Sequence, residues 1–132
     1  MHAIVVDDSK INLKVAIKML EHIGLTVDEA ESGFECLEKV KNKEYDLIFM
    51  DIMMPEMNGI TTFNHLKEIE GFNIPVIALT ADAVVGAREK YLKLGFNDYI
   101  AKPININELK NAITKLKDGG KNDWSKKCSK EV

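Results

Sequence analysis

The chain has 132 residues, the length of one domain that can bury a substantial core. Hydrophobic residues make up 45% of it and charged residues 30%. The net charge of −3 lacks the basic excess that a nucleic-acid-binding surface needs, so no direct binding of nucleic acid is predicted. No apolar run reaches the roughly 18 residues of a membrane span and no signal-peptide pattern is present, so a cytoplasmic protein that does not bind membranes directly is predicted.

Short apolar runs, each followed by a helical pattern, fill most of the sequence. After the first run, apolar residues recur at i, i+3, i+4 and i+7 until Gly24, which predicts a helix with one buried face. Four more such units follow in the same order. The predicted strands are residues 3–6, 26–30, 47–50, 76–79 and 98–101.

Two of the predicted helices begin at capping boxes, in which a Ser or Asn is followed three residues later by a Glu. Ser32 with Glu35 opens the second helix, and Asn105 with Glu108 opens the fifth. The apolar side chains of the second helix, Phe34 among them, are expected to point into the core.

The C-terminal residues break the pattern. Gly119 and Gly120 are expected to end the last helix, and the polar, Lys-rich segment after it carries a single Trp124. We therefore divide the chain into a domain at residues 1–117 and a polar tail or linker stub at residues 118–132.

The cysteines and histidines form no pattern typical of a metal or redox site. Cys36 and Cys128 lie far apart, so free thiols in a reducing compartment are predicted. His2, His22 and His65 are scattered along the chain and are expected to lie in solvent.

Apolar strands that alternate with helices predict a parallel sheet covered by helices on both faces. Five units fit an α/β doubly wound sheet of order 2-1-3-4-5 with five helices, and they are too few for an eight-stranded barrel. In such sheets the functional site lies at the carboxyl ends of the strands. The residues at the strand ends are therefore expected to form one site.

Polar side chains stand at four of these strand ends. Asp7 and Asp8 follow the first strand, Asp51 the third, Thr80 the fourth and Lys102 the fifth. The first and third strands are neighbours in the predicted order, so the carboxylates converge, and like charges that close need a cation among them. Clustered oxygen ligands suit a hard divalent ion such as Mg²⁺ that binds beside a phosphate, and the lysine offers a charge to a phosphoryl oxygen.

The strand ends carry four motifs: VVDDS at residues 5–9, MDIMMPEMNG at 50–59, ALTA at 78–81 and DYIAKP at 98–103. Taken together, these motifs resemble the receiver domain of two-component response regulators. The resemblance covers roughly residues 1–117 and implies a flavodoxin-like fold. The runs DDSKINLKV and ALTADA look more narrowly like receivers attached to hybrid histidine kinases.

The resemblance implies a phosphorelay. Asp51 would take a phosphoryl group from a phosphohistidine on a histidine kinase or a histidine phosphotransfer protein. Asp8 and Asp51 would bind Mg²⁺ directly, or Mn²⁺ in its place, together with the backbone carbonyl of Met53, while Asp7 would act largely through water. Such a domain is not a turnover enzyme on an external substrate, because it catalyses only its own phosphorylation and dephosphorylation.

The resemblance also assigns a conformational switch. Thr80 and Lys102 would contact the phosphoryl oxygens, and the Lys102–Pro103 bond would be cis. Thr80 would move toward the phosphoryl group while the aromatic ring of Tyr99 turns inward, which changes the face that a downstream output protein or domain binds. Met53 and Asp82, each two residues after a site residue, would tune the lifetime of the phosphoryl group.

Three other functions compete with this one. A hydrolase of the haloacid dehalogenase type needs a D-x-D pair after the first strand, whereas here the acids are adjacent. A flavodoxin-like electron carrier needs a phosphate loop rich in Ser, Thr and Gly there, and the sequence has none. The alternative left open is a receiver-like interaction module that works without phosphorylation.

Overall fold

The computed structural model describes residues 1–81 and 85–123, with side chains up to residue 116. Strands and helices alternate along it without exception. Among the described residues, no helix is both long enough and apolar enough to cross a membrane. The elements are β1 (His2–Val6), α1 (Lys10–Ile23), β2 (Thr26–Ala30), α2 (Gly33–Asn42), β3 (Leu47–Asp51), α3 (Gly59–Lys67), β4 (Val76–Thr80), α4 (Ala87–Leu94), β5 (Asp98–Ala101) and α5 (Ile106–Asp123).

The five strands form one parallel sheet in the order β2-β1-β3-β4-β5, which confirms the predicted fold. The strand order reverses beside β1, where β1 pairs with both β2 and β3. Val6 at the end of β1 lies opposite Met50 in β3, so the residue that follows each of them lies at the same edge of the sheet. This register brings Asp7 next to Asp51.

Both faces of the sheet are covered by a hydrophobic core, which explains why the strands are apolar throughout. Successive strand residues point to opposite faces. Ile4 and Ile48 belong to the cluster under α2, α3 and α4, whereas Val5 and Phe49 belong to the cluster under α1 and α5. The strand ends are therefore held between two packed layers.

Side-chain caps fix where the first two helices begin. The Ser9 hydroxyl accepts a hydrogen bond from the Asn12 N–H at 3.3 Å, and the Ser32 hydroxyl accepts one from the Glu35 N–H at 3.1 Å. The Glu35 carboxylate in turn accepts from the Glu31 N–H at 2.8 Å, one residue before the position that a standard capping box uses.

The expectation that Phe34 points into the core is wrong, since 56% of the residue is exposed. The buried stripe of α2 instead includes Gly33 and Cys36. At Gly33 the helix approaches α3 so closely that a Cβ atom would lie 2.1 Å from the Thr62 hydroxyl oxygen. The neighbouring residue, rotated by about 100° around the helix, is thereby turned toward solvent.

The predicted end of the last helix is also wrong, because α5 continues through Gly119 and Gly120 to Asp123. A glycine inside a helix costs about 1 kcal/mol relative to alanine, which weakens a helix without necessarily ending it. The prediction for Trp124 concerns residues outside the described part of the chain. The domain boundary drawn between residues 117 and 118 stays a prediction.

His2 is a third correction. Its ring is half-buried and stacks on Tyr45 with 5.0 Å between ring centroids, and its nitrogens lie 2.6 Å from the Thr26 hydroxyl and 3.3 Å from an Asp28 oxygen.

Of the cysteines, Cys36 is a buried free thiol, and Cys128 lies outside the described part. Burial raises the pKa of the Cys36 thiol to about 12, which makes it unreactive.

Candidate functional site

The end of β1 supplies two carboxylates in different environments. Asp7 is buried and accepts two hydrogen bonds, one from the Ser9 N–H at 2.9 Å and one from the Lys102 ammonium at 2.9 Å. Asp8 is exposed to solvent. The first acid is thus engaged with protein groups, while the second is open to a ligand.

The end of β3 supplies the central acid of the site. Asp51 is 3% exposed, and its Oδ1 atom lies 3.1 Å from the Lys102 nitrogen and accepts a hydrogen bond from the Met53 N–H at 3.3 Å. The buried carboxylate at the strand end therefore has a cation beside it, which is what a buried charge requires.

The loop after β3 is shaped by a close backbone approach. A Cβ atom on Gly59 would lie 2.4 Å from the Asp51 carbonyl oxygen, so only glycine fits there. Within the loop, Glu56 has a φ of 68°, a conformation unusual for a residue other than glycine, and the Met57 N–H donates to the Pro55 carbonyl at 2.7 Å. This compact loop fixes the direction in which the backbone leaves the central acid.

The three acids form a cluster that fits a hard divalent cation. One carboxylate oxygen from each of Asp7, Asp8 and Asp51 lies within 4.8 Å of the other two. Oxygen donors are the ligands that Mg²⁺ prefers, and the ion usually keeps some of its waters, so a partly exposed cluster suits it. The donor set therefore agrees with the predicted cofactor.

The electrostatics of the site follow from this crowding. Burial and the nearby charge of Asp7 raise the pKa of the Asp51 carboxyl to about 6, against the opposing effect of Lys102. Burial alone would lower the pKa of Lys102, but its hydrogen bond to Asp7 and the charges of both carboxylates together raise it. Lys102 is therefore kept in its charged form. Any further positive charge near the carboxylates would stabilise their ionised form.

The ends of β4 and β5 complete the site. Thr80 is fully buried at the end of β4, and its carbonyl accepts a hydrogen bond from the Lys102 N–H at 2.9 Å. The Lys102–Pro103 bond is cis, as predicted. Tyr99 lies half-buried on β5, with its ring stacked on that of Tyr91. The structure brings the acids, the threonine and the lysine to one edge of the sheet and leaves their individual roles as predictions.

The two residues predicted to tune the phosphoryl lifetime are only partly described. Met53 is 70% exposed, so its side chain lies on the solvent side of the central acid. Asp82 lies outside the described residues. The sequence patterns placed Ser9 in the first motif but did not predict that its backbone N–H donates to Asp7. They also did not predict that its hydroxyl caps α1, although a Ser before a helix is the usual sign of such a cap.

The sequence patterns also did not predict a group of exposed apolar side chains beside the site, which we call the apolar rim. On α1, Ile11 is 74% and Val15 44% exposed, at i and i+4 on one helix face. Next to them a cleft of about 210 Å³ is lined by Asn12, Val15, Lys102, Pro103 and Ile104. A sequence pattern cannot show this rim, because an exposed apolar residue at helical spacing looks like part of the core.

Comparison with known proteins agrees with this geometry. The sequence profile of the response regulator receiver domain matches residues 3–114. The chain is 39% identical over 120 residues to the signal transduction histidine-protein kinase BarA of Escherichia coli K12, covering 90% of the chain and 13% of that kinase. It is 37% identical over 116 residues to the hybrid signal transduction histidine kinase G of Dictyostelium discoideum, covering 85% of the chain and 3% of that kinase. The chain thus spans only a small part of these curated relatives.

Solved structures give the same result. The receiver domain of the Francisella response regulator 1452 is similar with a TM-score of 0.81 at 32% identity, covering 91% of this chain and 98% of that one. The receiver domain of the sensor histidine kinase PA1611 from Pseudomonas aeruginosa PAO1, which has a magnesium ion coordinated in its active-site cleft, gives 0.78 at 32% identity, with coverages of 86% and 94%. The profile match over most of the chain shows that this protein belongs to the response regulator receiver domain family.

Proposed function

We propose that this receiver domain accepts a phosphoryl group on Asp51 from a phosphohistidine of a histidine kinase or a histidine phosphotransfer protein. One observation carries the proposal. The Asp51 carboxylate is buried at a strand end, 3.1 Å from a lysine nitrogen and inside a cluster of three carboxylates. A structural acid needs one counter-charge, whereas a phosphoacceptor needs a nucleophilic oxygen surrounded by groups that neutralise a phosphoryl group.

The metal is part of this proposal. Asp8, Asp51 and the backbone carbonyl of Met53 would hold Mg²⁺, or Mn²⁺ in its place, while Asp7 would act through water. A bound divalent ion supplies charge neutralisation at the phosphoryl oxygens. Asp7 already holds Lys102 by a 2.9 Å hydrogen bond, which agrees with an indirect role for this acid.

The reaction itself is a substitution at phosphorus. A carboxylate oxygen of Asp51 forms a P–O bond while the P–N bond to the donor imidazole breaks, and the imidazole leaves with the electron pair and takes a proton. Lys102 and the hydroxyl of Thr80 would bind phosphoryl oxygens, and the Met53 N–H, which here donates to Asp51, would donate to one of them. Such a transfer needs positioning and charge neutralisation rather than acid–base chemistry by the protein.

The apolar rim is where we place the phosphodonor protein. Ile11 and Val15 are exposed on α1 beside the strand-end acids, and they continue into the cleft at Pro103 and Ile104. Contiguous exposed apolar side chains next to a reactive group favour docking of a protein rather than diffusion of a small substrate alone. The donor histidine would then be presented directly to the acceptor carboxylate.

The output is proposed to be a change of surface rather than a product. Phosphorylation shifts the equilibrium between two conformations only by the contacts that differ between them, and Thr80 and Tyr99 are the residues that we expect to differ. The altered face would bind an output protein or another domain of a longer kinase. We place these events in the cytoplasm, with which the buried free thiol of Cys36 is compatible.

Transfer of a radiolabel tests the proposal. A histidine phosphotransfer domain labelled on its histidine is mixed with the wild-type chain, with Asp51→Asn, and with Asp46→Asn as a matched control at the opposite end of β3. We expect a label sensitive to hydroxylamine, as acyl phosphates are, on the wild type and on Asp46→Asn only. A label on Asp51→Asn as well, or no transfer to the wild type from this donor or from phosphoramidate, would contradict the proposal.

A further inference from the structure

Four aromatic rings form a continuous row on one side of the sheet. Phe63 on α3 stacks on Phe96 at 4.2 Å between ring centroids, Phe96 meets Tyr91 edge-on at 5.9 Å, and Tyr91 stacks on Tyr99 at 5.5 Å with an angle of 11° between the rings. The row links α3, the turn before β5, α4 and finally β5. It ends at the residue expected to change its position in the switch.

Tyr91 is the fixed member of the last pair. Its residue is 2% exposed and Phe96 is also 2% exposed, whereas Tyr99 is half-buried. The Phe96 N–H donates to the Tyr91 carbonyl at 3.1 Å, which closes the C-terminal turn of α4 under the rings. A ring held on several sides is a firm surface for the half-buried ring of Tyr99, which stacks on it.

A second contact ties the same helix face to the same strand. Arg88, three residues before Tyr91 and therefore on the same face of α4, lies 2.8 Å from an oxygen of Asp98, the residue before Tyr99. The Asp98 side chain is 9% exposed. The ion pair and the ring stack thus clamp α4 to β5 at adjacent positions of the strand.

We infer that Tyr91 is the residue that positions the ring of Tyr99 and passes its displacement on to α4. Offset stacking of two rings is favourable only over a narrow range of distances and angles, so the ring of Tyr99 cannot turn without losing this contact or moving Tyr91 with it. Because Tyr91 is packed against Phe96 and belongs to α4, its movement is a movement of the helix. The inference rests on the proposed function only in taking Tyr99 as the residue that moves.

The stack also contributes free energy to the equilibrium between the two positions of the Tyr99 ring. One aromatic pair contributes enough free energy to change an equilibrium constant by roughly 2- to 13-fold. Removing the ring of Tyr91 is therefore expected to lower, by that factor, the equilibrium constant that favours the Tyr99 placement seen here. The chemistry of phosphoryl uptake at the strand ends would not need this ring.

Fluorine NMR of the chain labelled with 3-fluorotyrosine tests the inference directly. The three tyrosines give three signals, assigned by single Tyr→Phe variants. Without any phosphoryl donor, Tyr91→Leu should move and broaden the Tyr99 signal, whereas Tyr91→Phe, which keeps the ring, should leave it in place. Tyr45, at the far side of the sheet beside Asp28, serves as the internal control and should not move in either variant.

The second arm uses wild-type protein with Mg²⁺ and beryllofluoride, a mimic of the phosphoryl group. The signals of Tyr91 and Tyr99 should shift together while that of Tyr45 stays. A Tyr99 signal unaffected by Tyr91→Leu, or a Tyr99 signal that shifts while Tyr91 is stationary, would overturn the inference. If beryllofluoride moves no signal, the proposed function is in question, and the arm without donor still decides the role of Tyr91. Should Tyr91→Leu unfold the chain, which the Tyr45 signal would reveal, Tyr91→Met fills the space without a ring.

Discussion

The ammonium nitrogen of Lys102 lies 3.1 Å from the nearer carboxylate oxygen of Asp51, although the two residues are far apart in the chain. The same nitrogen lies 2.9 Å from Asp7, so one lysine serves two buried acids. A single cation cannot balance two carboxylates together with the exposed acid beside them. The site is therefore left with an excess of negative charge that a bound metal ion would neutralise.

This excess predicts that Asp51→Asn makes the protein more stable at neutral pH in the absence of Mg²⁺. The pKa of Asp51 is raised from 3.8 to about 6 by folding, so between these values the folded state binds more protons than the unfolded chain. The free energy of unfolding of the wild type then falls as pH rises through this window, and above it the penalty is fully present. Removing the charge should restore about 1 to 3 kcal/mol at pH near 7.5.

Urea unfolding in metal-free buffer measures this effect. The stability difference between Asp51→Asn and the wild type should shrink toward zero near pH 4, where the wild-type carboxyl is protonated in the folded state and about half protonated in the unfolded chain. Glu70→Gln, an exposed acid away from the site, should show no such pH-dependent gain. A variant less stable than the wild type at neutral pH would mean that Asp51 is satisfied by its protein partners.

Magnesium should stabilise the wild type through the acid cluster. An ion that binds only the folded state stabilises it by RT ln(1 + [L]/Kd), which is about 2.7 kcal/mol when the ion is present at 100 times its Kd. We expect millimolar Mg²⁺ to raise the melting temperature of the wild type and of Glu44→Gln, an exposed control, but to have little effect on Asp8→Asn. Equal stabilisation of all three proteins would show that the ion does not bind at the acid cluster.

Replacing Lys102 by alanine should lower the free energy of unfolding unless a metal ion supplies the missing positive charge. Lys102→Ala leaves Asp7 and Asp51 buried without their shared cation, so we expect a loss of about 2 to 3 kcal/mol in metal-free buffer. Mg²⁺ should recover much of this loss, because it supplies positive charge to the same oxygens, while phosphoryl uptake should stay impaired. Lys110→Ala on the exposed face of α5 is the matched control. A Lys102→Ala protein as stable as that control would indicate that the acids protonate at little cost.

The loop after β3 gives a prediction about packing. In Gly59→Ala the new methyl group would meet the Asp51 carbonyl oxygen at 2.4 Å and the Ile52 Cα atom at 2.8 Å, which no side-chain movement can relieve. We expect a loss of about 2 kcal/mol or more and slower phosphorylation, since the acceptor backbone must shift. Gly71→Asn, at an open position with a φ of +78° that Asn tolerates, should cost much less. A fully active and stable Gly59→Ala would show that the close approach is not required.

Much of the fold and of the site was predictable because both depend on strand ends. Fully apolar runs indicated a sheet buried on both faces, and the polar residues after the runs had to lie at one edge. The order of the strands places Asp7 beside Asp51, and the long side chain of Lys102 reaches them from β5, two strands away from β3. Local patterns could not predict Phe34, whose exposure depends on how closely α2 approaches α3 at Gly33. The stack of Tyr91 on Tyr99 is likewise a tertiary contact between a helix and a strand, for which spacing along the chain gives no signal.

Intact-mass spectrometry after incubation with acetyl phosphate and Mg²⁺ tests the central claim most directly. The wild type should gain the mass of one phosphoryl group, Asp51→Asn should gain none, and a chelator added before the donor should prevent the gain. A wild-type chain that stays unmodified with acetyl phosphate and with phosphoramidate, or an Asp51→Asn chain that gains the same adduct, would contradict the assignment of Asp51 as the phosphoacceptor.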